Sequence, residues 1–275
     1  MKRSIILWIV AFVLTLATAV YQRVTGPTYP LSGEVKLDDK FISFKLDRSH
    51  AGSDDHQIKI KTDDPNVKGL LEWKRYKTED DWQPQEMKFQ NNYLNGTLPH
   101  QPAAGKLIYN VVLSKNGNQV SLLKDPLVIR FRDDVPIFVV IPHIILIFLA
   151  MLFSTRTGLE FFNKSPDYKK LTYWTVGLLI LGGMIFGPIM QKYAFGEFWT
   201  GVPFGIDLTD NKTLIALIGW IIALVALRKF PKPQRWIIFA SILMFVVYLI
   251  PHSVLGSELD YNKMDNRNKI ENSDK

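Results

Sequence analysis

A series of apolar runs between residues 136 and 252, broken by basic segments, constrains this chain more than any other feature. Residues 136–153 are apolar apart from His143, and further runs cover 171–190, about 213–227 and 236–251. Another run, from Ile5 to Val20, comes after Lys2-Arg3. About 20 apolar residues at about 1.5 Å each cross a hydrocarbon core of about 30 Å. Five spans are therefore expected: one at 1–24 and a four-helix transmembrane domain at 136–252. The last two runs are short, at about 15–16 residues, and rely on Arg228 and Arg235 snorkelling to the surface. The first run contains Ala17-Thr18-Ala19, a cleavage-site pattern. It also holds Trp8 and Phe12 and is long enough to span when counted to Val24, which favours a signal anchor. As a cleaved signal or as an anchor, the run exports the segment 25–135.

The segment 25–135 is of another kind, with 16 Lys+Arg against 16 Asp+Glu by count. Its short apolar runs alternate with polar residues, as in Ile58-Lys-Ile60, Leu71-Glu-Trp-Lys-Arg-Tyr76, Leu107 to Leu113 and Leu127-Val-Ile-Arg-Phe131. Turn residues separate them: Asp38-Asp39-Lys40, Asp63-Asp64-Pro65-Asn66, Asn91-Asn92, Asn95-Gly96 and Asn116-Gly117-Asn118. Period-two runs at this spacing predict an all-β domain. Leu98-Pro99, Ala104-Gly105-Lys106 and Tyr109-Asn110-Val111 resemble the tyrosine-corner region of fibronectin type III and related Ig-like domains. That resemblance implies, for residues 31–134, a β-sandwich that serves as a binding or spacer module. The expected fold class is thus mixed: an extracytoplasmic all-β Ig-like sandwich inserted between transmembrane helix 1 and a four-helix transmembrane bundle. A polar extracytoplasmic tail, 253–275, closes the chain.

The net charge of +7 is not a nucleic-acid footprint, because the β domain is balanced. The excess lies at Lys2, Arg3 and Arg23 and in the segments 155–170 and 228–235. If the spans alternate, Lys2/Arg3 and those two segments share a side, and the positive-inside rule makes it the cytoplasmic one. The N-terminus is then inside; the β domain, the 191–213 loop and the C-terminus are outside a bacterial-type inner membrane. The chain has no cysteine, which excludes disulfides, thiolate nucleophiles, Cys-ligated zinc and iron–sulfur clusters. It carries no HExxH, phosphate loop or nucleophile motif, so hydrolase chemistry has little support.

Ionisable groups within a membrane are costly and face the bundle interior or water, which singles out His143 and His252. Helical rise puts His143 roughly 10 Å in from Pro136 and His252 roughly 24 Å across from Trp236. Both should therefore lie near the outer face. One use is structural, a hydrogen bond to a carbonyl freed by Pro142, Pro188 or Pro251. A second is to hold a b-type haem or a metal ion, with Gly182, Gly183 or Gly187 making room for a ring. A third is quinone or proton handling. Asp207, Asp210 and Glu258 are candidates to complete a metal site, although helix capping is the simpler use of Asp210. Gly183-x-x-x-Gly187 has a spacing that permits close helix contact. The glycine-rich 191–213 loop is expected to fold over the bundle, with Trp199 and Phe204 partly buried as its cap. His50, His56 and His100 match no metal spacing and are expected at the surface. The expected function is that of an accessory or assembly protein whose β domain binds a protein partner outside the bilayer. The alternative is a redox protein built on His143 and His252.

Overall fold

The structure is a computed structural model that describes residues 2–252 and 254–273. It divides into a helical unit, Met1–Pro27 with Val135–Ser257, and a β-rich unit, Thr28–Asp134 with Glu258–Lys275.

The helical unit contains α1 (Lys2–Val24), α2 (Ile137–Leu159), α3 (Tyr168–Leu179), a π-helical stretch (Ile180–Phe186), α4 (Gly187–Phe195), α5 (Leu208–Lys229) and α6 (Gln234–Leu249). Among the described residues, four helical segments are long and apolar enough to cross a membrane: Lys2–Val24, Ile137–Phe162, Tyr168–Phe195 and Leu208–Lys229. Gln234–Leu249 is apolar but shorter. Only 22–39% of the residues in the most apolar windows of the four are buried. The outer surface is therefore apolar, with Ile9, Phe138, Ile144, Ile218 and Phe239 all exposed, and is compatible with lipid contact.

Small residues bring the helices together. Ala216, Ala223 and Ala240 are fully buried around Trp220, whose indole N–H donates to the Met244 sulfur at 3.2 Å. Ser241 Oγ donates to the Ser154 carbonyl at 2.9 Å and so joins α6 to α2. A Cβ at Gly182 would lie 3.0 Å from the backbone nitrogen of Ile147 on α2. One at Gly183 would lie 2.7 Å from Thr213 Cγ2 on α5. Gly182 and Gly183 are therefore the wedge at which α2, the π stretch and α5 meet.

Helix ends differ from the sequence expectation. The helical segment from Ile137 runs on to Phe162, so Arg156 is not in a basic loop. It is a 1%-exposed helical residue paired with Glu160, which is 2% exposed. The i,i+4 pair neutralises itself, which lets the helix continue past it.

The β-rich unit contains β1 (Leu31–Leu37), β2 (Lys40–Leu46), β3 (Ser49–Ala51), β4 (His56–Lys61), β5 (Lys68–Arg75), β6 (Gln83–Gln90), β7 (Tyr93–Leu98), β8 (Lys106–Lys115), β9 (Asn118–Ser121) and β10 (Leu127–Arg132). β1 and β2 form a two-stranded sheet, and the other strands run in the order β3-β10-β8-β5-β6-β7-β4, with β9 on β8. All pairings are antiparallel except β3 with β10. Leu107, Tyr109, Val111 and Leu113 alternate inward from β8 and are fully buried. Asn91-Asn92 and Asn116-Gly117 have positive φ at both positions, as two-residue hairpin turns require. The Tyr109 hydroxyl donates to the Asp47 carbonyl at 2.8 Å, 62 residues earlier. A tyrosine corner instead closes on backbone a few residues upstream. In this chain Tyr109 ties β8 to the segment that leads into β3.

The tail is not free. Residues from Glu258 onward belong to the β-rich unit and lead into α7 (Tyr261–Ser273). Tyr261 is 3% exposed; its hydroxyl accepts from Lys106 N at 2.9 Å and lies 3.0 Å from Gln101 Oε1. Leu259 N donates to Ala104 O at 3.1 Å. Arg75 is bidentate to both Asp80 and Asp265, and Glu258 bridges Lys77 and Lys106. Burial alone would raise the Glu258 carboxyl, but the Lys106 and Lys77 ammonium groups outweigh it and hold it below the usual carboxylate range. A depressed folded-state value stabilises the docked tail above the unfolded value, about 4.3, and this stabilisation is lost as pH falls through the folded one. Amide-exchange protection at Leu259 should therefore hold down to about pH 4.3 and fall as the pH drops further. Glu258→Gln should weaken it already at neutral pH and flatten the profile; an unaltered profile in that variant would contradict the assignment.

Candidate functional site

Polar groups gather where α6 ends and α5 begins. Pro251 forces the preceding residue out of the helical region, and Ile250 is extended at φ −72°, ψ 118°. The carbonyls this leaves are taken by side chains from other helices. Gln22 Nε2 at the end of α1 donates to Tyr248 O (2.8 Å) and Ile250 O (3.2 Å). Lys212 Nζ from α5 donates to Ile250 O at 2.7 Å. Lys212 is 2% exposed, and its ammonium stands 5.9 Å from the centre of the Tyr248 ring.

Two aspartates fix the loop between α4 and α5. Asp207 is the N-cap of α5, accepting from Thr209 N at 2.8 Å; its other oxygen accepts from Ser257 N and Oγ at 2.7 and 2.8 Å. Burial works against the Asp207 charge, but the Ser257 and backbone donors outweigh it and hold the carboxyl below its ordinary range. Asp210, expected to cap, does not. It sits one turn inside α5 and accepts from Thr200 N at 2.7 Å and Gly201 N at 3.0 Å. Helix α5 starts earlier than its apolar run, so the cap falls to Asp207. Thr200 Oγ also meets Ser257 Oγ at 2.9 Å and accepts from Gln191 at 2.6 Å. The 196–207 loop and residues 254–257 are thereby locked over the start of α5.

The loop's aromatic residues do not form the expected cap. Trp199 is half-buried, with its N–H on Val202 O at 3.1 Å, but Phe204 is 82% exposed. Phe204 N and Gly205 N both bond to Gly201 O, making a tight turn, and Asp207 N closes the loop on Thr200 O at 3.0 Å. Phe198, Val202, Phe204 and Ile206 consequently point outward.

His143 Nδ1 donates to Gly182 O at 3.0 Å, since a carbonyl only accepts; in the neutral ring Nε2 is then bare. The Gly187 N–H bonds to the same carbonyl in the wide π-helical pattern, and Pro188 supplies no N–H of its own. His252 is exposed and lies within electrostatic reach of His143, Lys212 and Asp207. Glu258 belongs to the β-rich unit and is spent on two lysines. Among the described residues no group of three or more His, Asp or Glu side chains is arranged to hold a metal. The room reserved for a ring at Gly182 and Gly183 is filled by Ile147 and Thr213, and His143 Cε1 would be 3.7 Å from a Cβ at Gly187.

Sequence reasoning does not reach Lys212 and Gln22. Each borders an apolar run and reads as a flanking polar residue, and only the Ile250-Pro251 break shows why a donor is needed there. His56, expected at the surface, is 7% exposed and its Nδ1 meets His50 Nδ1 at 3.1 Å. Comparison with protein-family models, with curated proteins and with solved structures finds no match to this chain.

Proposed function

We propose that the chain is a polytopic envelope membrane protein of accessory or assembly type, whose β-rich unit works outside the membrane as an Ig-like module that binds a protein partner. Strand order carries this reading. β5, β8 and β10 are neighbours as strands C, F and G are in an immunoglobulin sandwich, and β4 pairs with β7 as B does with E. Modules of this kind bind or space, and their function lies in the partner they meet.

Five crossings and a cytoplasmic N-terminus belong to the same proposal. Arg156 reaches Ser4 Oγ at 3.2 Å, so the end of α2 lies by the start of α1. Arg228 reaches the Tyr173 hydroxyl at 3.2 Å, so the end of α5 lies by the start of α3. Lys2, Arg3, Lys164, Lys169, Lys170, Lys229, Lys232 and Arg235 are exposed around these ends, as the positive-inside rule asks of a cytoplasmic face. Helix α6, about 24 Å long, is completed as a span by Arg235 and Trp236 reaching to the interface. The exposed Phe198, Phe204 and Ile206 suit the opposite interface.

A second reading gives His143 and His252 a b-type haem or a metal ion near the outer face. One observation favours it: His143 is held by Nδ1–H on a carbonyl with Nε2 bare, the arrangement of ligating histidines.

A reporter active only in the cytoplasm should be active when fused after Arg235 and silent when fused after Asp134; activity after Asp134 would overturn the orientation. The accessory reading predicts a featureless visible spectrum for protein purified from haem-replete cells. A reduced-minus-oxidised b-type signal that is lost in His143→Ala would displace it in favour of the redox reading.

A further inference from the structure

His50 on β3 and His56 at the start of β4 face each other with their Nδ1 atoms 3.1 Å apart. His50 Nε2 is 2.8 Å from the Asp54 carbonyl, which only accepts, so Nε2 carries the proton and the neutral ring leaves Nδ1 bare. His56 then has two incompatible demands. Its Nε2 is buried without a hydrogen-bond partner among the described residues, 3.9 Å from the Asp47 carboxylate, where an N–H would be favoured. With the proton there, its Nδ1 is bare as well, and two lone pairs oppose each other. With the proton on Nδ1 the pair is bonded, but a bare buried nitrogen is left against an anion. A cation between the two Nδ1 atoms meets both demands.

We propose that His50 and His56 bind one divalent first-row transition-metal ion through both Nδ1 atoms. With metal–nitrogen bonds of about 2.0–2.1 Å, nitrogens 3.1 Å apart subtend about 100° at the ion. That lies between the cis angle of a square-planar or octahedral site and the tetrahedral angle. Asp54 O and Asp47 then stand as the outer partners that fix the tautomer and orientation of ligating histidines. Imidazole nitrogen selects zinc, copper or nickel over magnesium or calcium. The fully buried Phe131 holds the His50 ring edge-on, with centroids 5.6 Å apart, so this ligand is positioned before any ion arrives. Among the described residues no third His, Asp or Glu completes the set, so water fills the remaining positions.

The test uses the full chain, purified without a histidine tag and titrated with Zn²⁺ and Cu²⁺ at neutral pH by calorimetry and visible absorption. One equivalent should bind, with a Cu²⁺ ligand-field band, and His50→Gln should weaken binding by at least about tenfold. His100→Gln, on the same Phe131 but outside the pair, should bind as the parent does. Substituting the buried His56 carries a folding risk, so His50→Gln is decisive once its thermal unfolding without metal matches the parent. Undiminished binding in His50→Gln would overturn the proposal, as would no binding by the parent chain, which would leave the pair holding a proton alone.

Discussion

A carbonyl left without its helical donor is the constraint on which the helical unit depends. Pro251 and Pro188 interrupt helical pairing, and in apolar surroundings each group left over costs several kcal/mol unless protein satisfies it. At Pro251 the donors come from α1 and α5, through Gln22 and Lys212. Ahead of Pro188 the helix is wound as the π stretch, in which the Gly182 carbonyl accepts from both the Gly187 N–H and the His143 ring. One sequence-local break is thus converted into a link between helices far apart in the chain. Lys212 shows the cost of this arrangement, because its ammonium is taken out of water to make a single 2.7 Å bond.

Where the chain must bury charge elsewhere, it pairs it. Arg156 and Glu160 lie together one turn apart, with Trp8 stacked 5.3 Å from the guanidinium and Asn163 and Asp167 N bonding to the glutamate. Removing one partner of such a pair typically costs about 3–5 kcal/mol, since it strands the other. The same economy governs Asp207, which caps α5 with one oxygen and holds Ser257 with the other.

The sequence carries the coarse architecture well. Apolar runs mark the helices, and period-two alternation marks β4, β5, β8 and β10, because both signals are written in adjacent residues. The Asn91-Asn92 and Asn116-Gly117 turns are legible for the same reason, but Asn95-Gly96, expected as a turn, runs through the middle of β7, because its pairing with β4 is set by folding and not by the dipeptide. The candidate site is only partly legible. His143 and His252 stand out against apolar neighbours, and Asp207 stands in the right loop, but capping goes to Asp207 rather than Asp210 because α5 begins before its apolar run does. Partnerships set by folding leave no mark in the sequence: Lys212 with Ile250, Tyr261 with Lys106, and His50 with His56. In each, one partner looks like an ordinary surface residue until the other, 6 to 155 positions away, is placed beside it.

The 196–207 loop and the residues after α6 are locked together over the start of α5. The chain's lack of cysteine allows a direct measurement. Thr200 Oγ and Ser257 Oγ are 2.9 Å apart, close enough for a Thr200→Cys, Ser257→Cys pair to form a disulfide with little backbone movement. In membranes treated with a mild oxidant, the double variant should cross-link nearly completely within one chain, and neither single variant should. Two thiols that stay free and react independently with a thiol reagent would contradict the account.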